Sequence, residues 1–139
     1  LIPTEQTVRV GAIGVLDAYG QILVGYNVKR AVWDIPQGVI EEGESPVQGA
    51  IRELFEETGL NLNAKDLSEI GKFSHRTREF VYPFENYLFL LELSNVDLSP
   101  VRNCEPEKCR DLGWRAPCQL PSPRGLSLRL LLVLLGRSE

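Results

Sequence analysis

"GVIEEGESPVQGAIRELFEETGL", residues Gly38 to Leu60, packs six glutamates and one arginine among residues of ordinary helix-core type. Its ends are marked by local chemistry. Ser45 suits a helix N-cap and Pro46 the first helical position, where a missing N–H costs nothing. Gln48, three residues after Ser45, completes a capping box. Gly59 suits the left-handed residue just past a helix C-terminus. The stretch therefore predicts a helix over 46–58. At about 100° per residue, Val47, Ile51, Leu54 and Phe55 fall in one apolar arc that must face a core. Glu53, Glu56 and Glu57 fall in a second arc, with Gly49 beneath it and Arg52 beside Glu56.

Three carboxylates on one face repel. Two charges about 4 Å apart cost on the order of 4 kcal/mol at an effective dielectric near 20. Water and salt screen most of that on a wet face, and a solvated surface is the ordinary reading of an acidic helix. Here the acids sit late in the helix, at the negative end of its dipole, where acids are disfavoured. Hard oxygen donors gathered in that place suit Mg²⁺ or Mn²⁺, which bind carboxylates and bridge to phosphates.

Outward from this helix, Val8 to Asp17 is rich in β-branched residues and reads as a buried strand. After a turn at Gly20, Ile22 to Val28 reads as the return strand of a hairpin. "VWDIPQG" is a short extended segment stopped by Pro36. "LSEIGKFSH" and "EFVYPFENYLFLLEL" read as further strands. Residues 94–111 carry Pro100 and Pro106 and read as a long loop, a common place for function. "LGWRA" reads as a short strand, "PCQLPSPRG" as a turn-rich connector, and Ser127 onward as a terminal helix. No internal repeat is visible, so residues 1–139 are expected to form one domain.

The bulk numbers fit this picture. The chain has 139 residues, 43% hydrophobic and 24% charged, the ordinary globular balance. "LSLRLLLVLL" is about half the length a bilayer requires and contains Arg129, so no membrane association is expected. The N-terminus shows no signal-peptide pattern. Three cysteines, Cys104, Cys109 and Cys118, lack zinc-site spacing, and His75 is the one histidine. Free thiols in a reducing, cytoplasmic setting are expected. A net charge of −4 and a pI near 5.1 argue against a surface built for nonspecific nucleic-acid binding. They leave room for a polyphosphate substrate whose charge is met by metal ions.

Gly38, Glu44, Arg52, Glu53, Leu54, Glu56, Glu57, Gly59 and Leu60 stand at the spacing of the signature of the Nudix hydrolases, and the chain resembles that family at every fixed position of the box. The resemblance implies an α/β fold, an α/β/α sandwich around a mixed β-sheet. It implies a pyrophosphohydrolase that cleaves a nucleoside diphosphate linked to some group X, using two or more Mg²⁺ or Mn²⁺ ions. Carried over by position, Glu56 and Glu57 are metal ligands and Glu53 is a ligand or general base; the motif leaves open which glutamate is the base. The backbone carbonyl of Gln37 or Gly38 adds a ligand. Arg52 orients the glutamates, and Glu44 supports Arg52 or touches an outer metal. Family members often draw a further glutamate from a downstream loop. Glu107 is the first choice and Glu105 the second, with solvated loop acids the alternative for each. Glu41 and Glu42 read as solvated.

Two resemblances divide the substrate. "WDIPQG" with "RELFEETG" is similar to the branch acting on RNA 5′ ends and dinucleoside polyphosphates. "EPEKC", "GW" and "LP" are similar to the branch acting on free nucleoside triphosphates. The acidic pI favours a free nucleoside triphosphate, cleaved to monophosphate and pyrophosphate, over an RNA 5′ end. Arg76 and Arg78, in the basic run His75 to Arg78, are candidates to grip a phosphate tail or a short RNA, although a solvated strand edge is the commoner role. Trp33, Tyr82, Phe84 and Tyr87 are candidates to stack a base, although core packing is the commoner role for each. A non-catalytic nucleotide-sensing module is the remaining alternative; such modules typically lose box glutamates, and this chain has lost none. Homodimers are frequent in the family, so a homodimer is a candidate assembly.

Overall fold

The computed structural model describes residues 7–75, 83–91 and 96–136. Among the described residues, seven strands and two α-helices follow in the order β1 (Val8–Val15), β2 (Ile22–Asn27), β3 (Val32–Asp34), β4 (Gln37–Val39), α1 (Pro46–Thr58), β5 (Leu67–His75), β6 (Phe84–Leu91), β7 (Cys109–Arg115) and α2 (Leu126–Leu134). Short 3₁₀ turns lie at Ala64–Asp66 and Pro117–Gln119. The larger sheet has the order β4-β1-β6-β5, and the smaller one β3-β2-β7. β1 pairs antiparallel with β4 and parallel with β6, so the larger sheet is mixed, as expected.

The alternation of strand side chains sorts the core into two layers. Ile13 and Val15 of β1 and Tyr87, Phe89 and Leu91 of β6 join Ala50 and Leu54 beneath α1. Ala12 and Leu88 point the other way and pack with Leu128, Leu131 and Leu132 of α2. Gly11 is needed where α1 crosses the sheet, because a Cβ there would stand 2.9 Å from the Ala50 Cβ.

The helix boundaries match the sequence reading. The Ser45 side chain accepts the Gln48 N–H, and the Gln48 side chain accepts the Ser45 N–H. Gly59 is left-handed at φ 76°, and its N–H donates to the Phe55 carbonyl.

Two expectations are corrected. β1 and β2 do not form a hairpin. The turn is present, with Asp17 Oδ1 accepting the N–H groups of Tyr19 and Gln21, but one bridge, Leu16 to Ile22, is all that joins the strands. Both edges of β1 are already taken by β4 and β6, so β2 turns away into the second sheet. Phe55 does not face the core; it is 52% exposed. The buried stripe runs along Ala50, Leu54 and Thr58, one residue per turn, and Phe55 is about 100° round from Leu54.

Candidate active site

The acidic face of α1 meets β4 and the loop before β7. Arg52 organises one side of it. Its Nε and Nη2 donate to the two Glu44 carboxylate oxygens at 2.8 and 3.0 Å, a fork-to-fork pair. Its Nη1 donates to Glu53 and Glu56 at 3.1 Å each, and Nη2 also reaches the Val39 carbonyl at 2.9 Å. One guanidinium thus ties three box glutamates and β4 together. These bonds hold the Arg52 pKa well above its ordinary value and the Glu44 pKa below its own.

Glu57 lies on the other side, away from Arg52. Burial, and then the charges of Glu53 and Glu105, push its pKa up to about 8; the Gln37 backbone N–H opposes this. Glu53 is raised too, chiefly by burial, against the pull of Arg52. The structure half-buries Glu57 against β4 and the cleft, where a wet helix face would have left it exposed.

Glu105 arrives through backbone bonding at the end of α1. The N–H groups of Arg102 and Cys104 donate to the carbonyls of Thr58 and Glu57, at 2.9 Å each, which satisfies the open helix end. Asn103 then accepts the Glu105 N–H and donates to the Cys109 carbonyl. The two candidate loop acids are placed differently. Glu107 is exposed, while Glu105 is half-buried and its charge acts on both Glu53 and Glu57. Lys108 Nζ pairs with Glu105 at 3.3 Å.

The site fits a divalent cation by two observations. The gathered acids of α1 and the loop before β7, Glu53, Glu56, Glu57 and Glu105, offer hard oxygen donors, as Mg²⁺ and Mn²⁺ require. Gly38 also lets the Glu53 carboxyl close against β4, since a Cβ there would stand 2.0 Å from Glu53 Cδ. Among the described residues no three His, Cys, Asp or Glu side chains already stand in metal-ligand geometry. Glu53 and Glu56 are turned onto Arg52 instead, so cation binding would redirect them.

A cleft opens beside Glu57, lined in part by Asn27, Arg30, Asp34, Gln37 and Cys109. None but Gln37 was singled out from the sequence, because they come from separate strands that only the fold brings together. Asp34 is 4% exposed and accepts from the N–H groups of Ile35 and Leu128 and from Arg30. Burial nonetheless raises its pKa. It anchors the start of α2 to the strand that leads into the box.

The other substrate candidates fall elsewhere. Tyr87 belongs to the core beneath α1, 9% exposed, with its hydroxyl on Glu85 and Lys72 over its ring. It sits mid-strand on the inner face of β6 and is used for packing. Trp33 alternates with Asp34 on β3 and so faces away from the cleft, edge-on to Tyr26 with the Arg115 guanidinium 4.7 Å from its ring centre. Phe84 stacks on His75, which also bonds Asn86. Arg76, Arg78 and Tyr82 lie outside the described residues.

A family model described as the NUDIX domain matches residues 5–130. An RNA pyrophosphohydrolase of Blochmanniella floridana is 51% identical over 45 residues, which are 32% of this chain and 28% of that protein. A MutT NUDIX hydrolase from Burkholderia pseudomallei has a similar fold, with a TM-score of 0.79 over 94% of this chain and 99% of its own, at 22% identity. A bifunctional NMN adenylyltransferase/ADP ribose pyrophosphatase from Francisella tularensis, complexed with AMP and a Mn ion, has a TM-score of 0.66 over 97% of this chain and 43% of its own, at 21% identity.

Proposed function

The chain belongs to the Nudix hydrolases, and from that premise we propose that it is a divalent-metal-dependent pyrophosphohydrolase acting on a nucleoside diphosphate linked to X, with free nucleoside triphosphates as first substrate. The observation that carries this reading is the acidic face of α1, where Arg52 ties Glu44, Glu53 and Glu56 together and the charges of Glu53 and Glu105 act on Glu57. Gln37 and Gly38 lie on β4, whose Gln37 N–H reaches Glu57, and we take their carbonyls as further ligands. When bound, the ions would hold the substrate phosphates and offset the negative charge that grows as water attacks phosphorus. Glu53, Glu56, Glu57 and Glu105 are the residues to hold them, and Glu44 acts through Arg52. Glu53 or Glu57 takes the proton from the attacking water. The phosphoanhydride bond breaks, and monophosphate and pyrophosphate leave.

A second reading, an RNA 5′ end as substrate, is favoured by the similarity to the RNA pyrophosphohydrolase. Incubation of nucleoside triphosphates, a dinucleoside polyphosphate and a 5′-triphosphorylated oligomer with Mg²⁺ or Mn²⁺, with products weighed by mass spectrometry, ranks these. Metal-dependent release of pyrophosphate from the triphosphates is expected. No turnover of any substrate, together with tight nucleotide binding, would make the chain a sensing module instead.

A further inference from the structure

We infer that the half-exposed patch of Tyr26, Trp33, Arg110 and Arg115, at the margin of the face that β2 and β3 otherwise bury against α2, binds the sugar-phosphate chain of a single-stranded oligonucleotide. Trp33 and Tyr26 are cross-strand neighbours there, with ring centres 5.5 Å apart at 65°. Arg115 lies over the Trp33 ring at 4.7 Å, and Arg110 over the Tyr26 ring at 5.1 Å. A guanidinium stacked on a ring keeps its in-plane N–H groups for other acceptors. Arg110 makes no side-chain hydrogen bond or ion pair among the described residues, and Arg115 makes one long contact, 3.4 Å to the Asp111 carbonyl. Neither is spent on a carboxylate, in a chain whose net charge is −4. Stacking fixes the long side chains beforehand, so less freedom is lost when a phosphate arrives.

The position suits a chain leaving the cleft. β3 is the outermost strand of its sheet, with its free edge bonded to Pro123 and Gly125; Asp34 faces the cleft on one side of it and Trp33 the arginines on the other. The β2–β3 turn between them carries exposed Lys29 and Arg30, and Arg30 also lines the cleft mouth. A nucleotide chain whose first unit sits by Glu57 can pass over this turn by Lys29 and by Arg30, which Asp34 holds at 3.2 Å, to reach Arg110 and Arg115. Two arginines, each on its own ring, match a repeated phosphate rather than a single one. The acidic pI does not oppose this, because charges further than about 10 Å are largely screened at ordinary salt.

Binding of a labelled single-stranded octaribonucleotide is measured by anisotropy in EDTA, from 50 to 300 mM salt, for wild type and for R110E/R115E. R110Q/R115Q is the milder variant should the reversal not fold, and K65E is the distant control. Affinity is expected to fall at least tenfold in the double variant, with the salt slope reduced by about 1–2, and to stay within twofold in K65E. The ratio of kcat/KM for a 5′-triphosphorylated octamer to that for the mononucleotide should fall by a similar factor. Only this kinetic arm depends on the reaction proposed above. Absent turnover with intact, arginine-dependent binding sinks that reaction and leaves the surface. An octamer that does not bind, or binds all variants alike, overturns the surface.

Discussion

Glu57 is a carboxyl group that folding alone would keep protonated and that a cation would ionise. Its pKa of about 8 lies above the ordinary 4.5, so the folded, metal-free protein holds a proton there that the unfolded chain has released. Stability from this group is full below about pH 4.5 and is lost as pH rises through 8. In chelator, the melting temperature of wild type should therefore fall between pH 5 and 9, and E57Q should melt a few degrees higher than wild type at pH 9. Equal slopes for the two proteins would show that Glu57 is not desolvated. With metal and substrate the same variant should lose on the order of 10²-fold or more in kcat.

Arg52 is a positioning residue, because its donors reach glutamates and β4 rather than the cleft. R52A should leave the fold intact and weaken metal affinity by about 10- to 100-fold, the scale of lost outer-shell support. R52K should not restore it, since one ammonium cannot serve Glu44 as a fork while reaching Glu53 and Glu56. Manganese titration followed by electron paramagnetic resonance reads this directly. Unchanged affinity in R52A would remove the positioning account.

At the scale of elements, two glycines separate the architecture of the site from the architecture of the fold. A Cβ on Gly38 of β4 would meet the carboxyl end of Glu53, a flexible group that can swing aside. G38A should therefore melt close to wild type yet lose most of its activity. A Cβ on Gly11 of β1 would meet the Ala50 side chain and backbone, which cannot move without shifting α1. G11A should cost about 1–3 kcal/mol in stability, read by denaturant titration, with activity lost only in proportion to unfolding. If G38A unfolds instead, the space beside Glu53 serves packing.

The same elements show what the sequence made legible. The ends of α1 were readable because Ser45, Pro46, Gln48 and Gly59 act within a turn of themselves. Arg52 and its glutamates were readable because they share one helix face. The pairing of β1 was not, since its partners β4 and β6 lie far along the chain and no local signal names them. Glu105 and Glu107 look alike in sequence; only the bonding of residues 102–104 to the end of α1 turns one inward. Tyr87 and Trp33 have the residue types of base-stacking groups, and burial and strand parity decide against both in the cleft.

At the scale of the molecule, α1 presents the acids while the smaller sheet and the loop before β7 supply the opposite wall, so an ion binding between them would link the two parts. Among the described residues no helix is long and apolar enough to cross a membrane. A ligand that binds only the folded state stabilises it by about 2.7 kcal/mol at a hundredfold excess over Kd. Here that stabilisation should itself depend on pH. At pH 6 a cation must displace the proton that Glu57 holds, while at pH 9 the carboxylate is already free and its repulsion with Glu53 and Glu105 is waiting to be relieved. The rise in melting temperature on adding Mn²⁺ should be larger at pH 9 than at pH 6, and calorimetry in two buffers of different ionisation enthalpy should find proton release near pH 7. E57Q should show neither the pH dependence nor the released proton. A manganese shift equal at both pH values in wild type would mean that cations bind without Glu57, and the site would have to be redrawn around Glu53 and Glu56 alone.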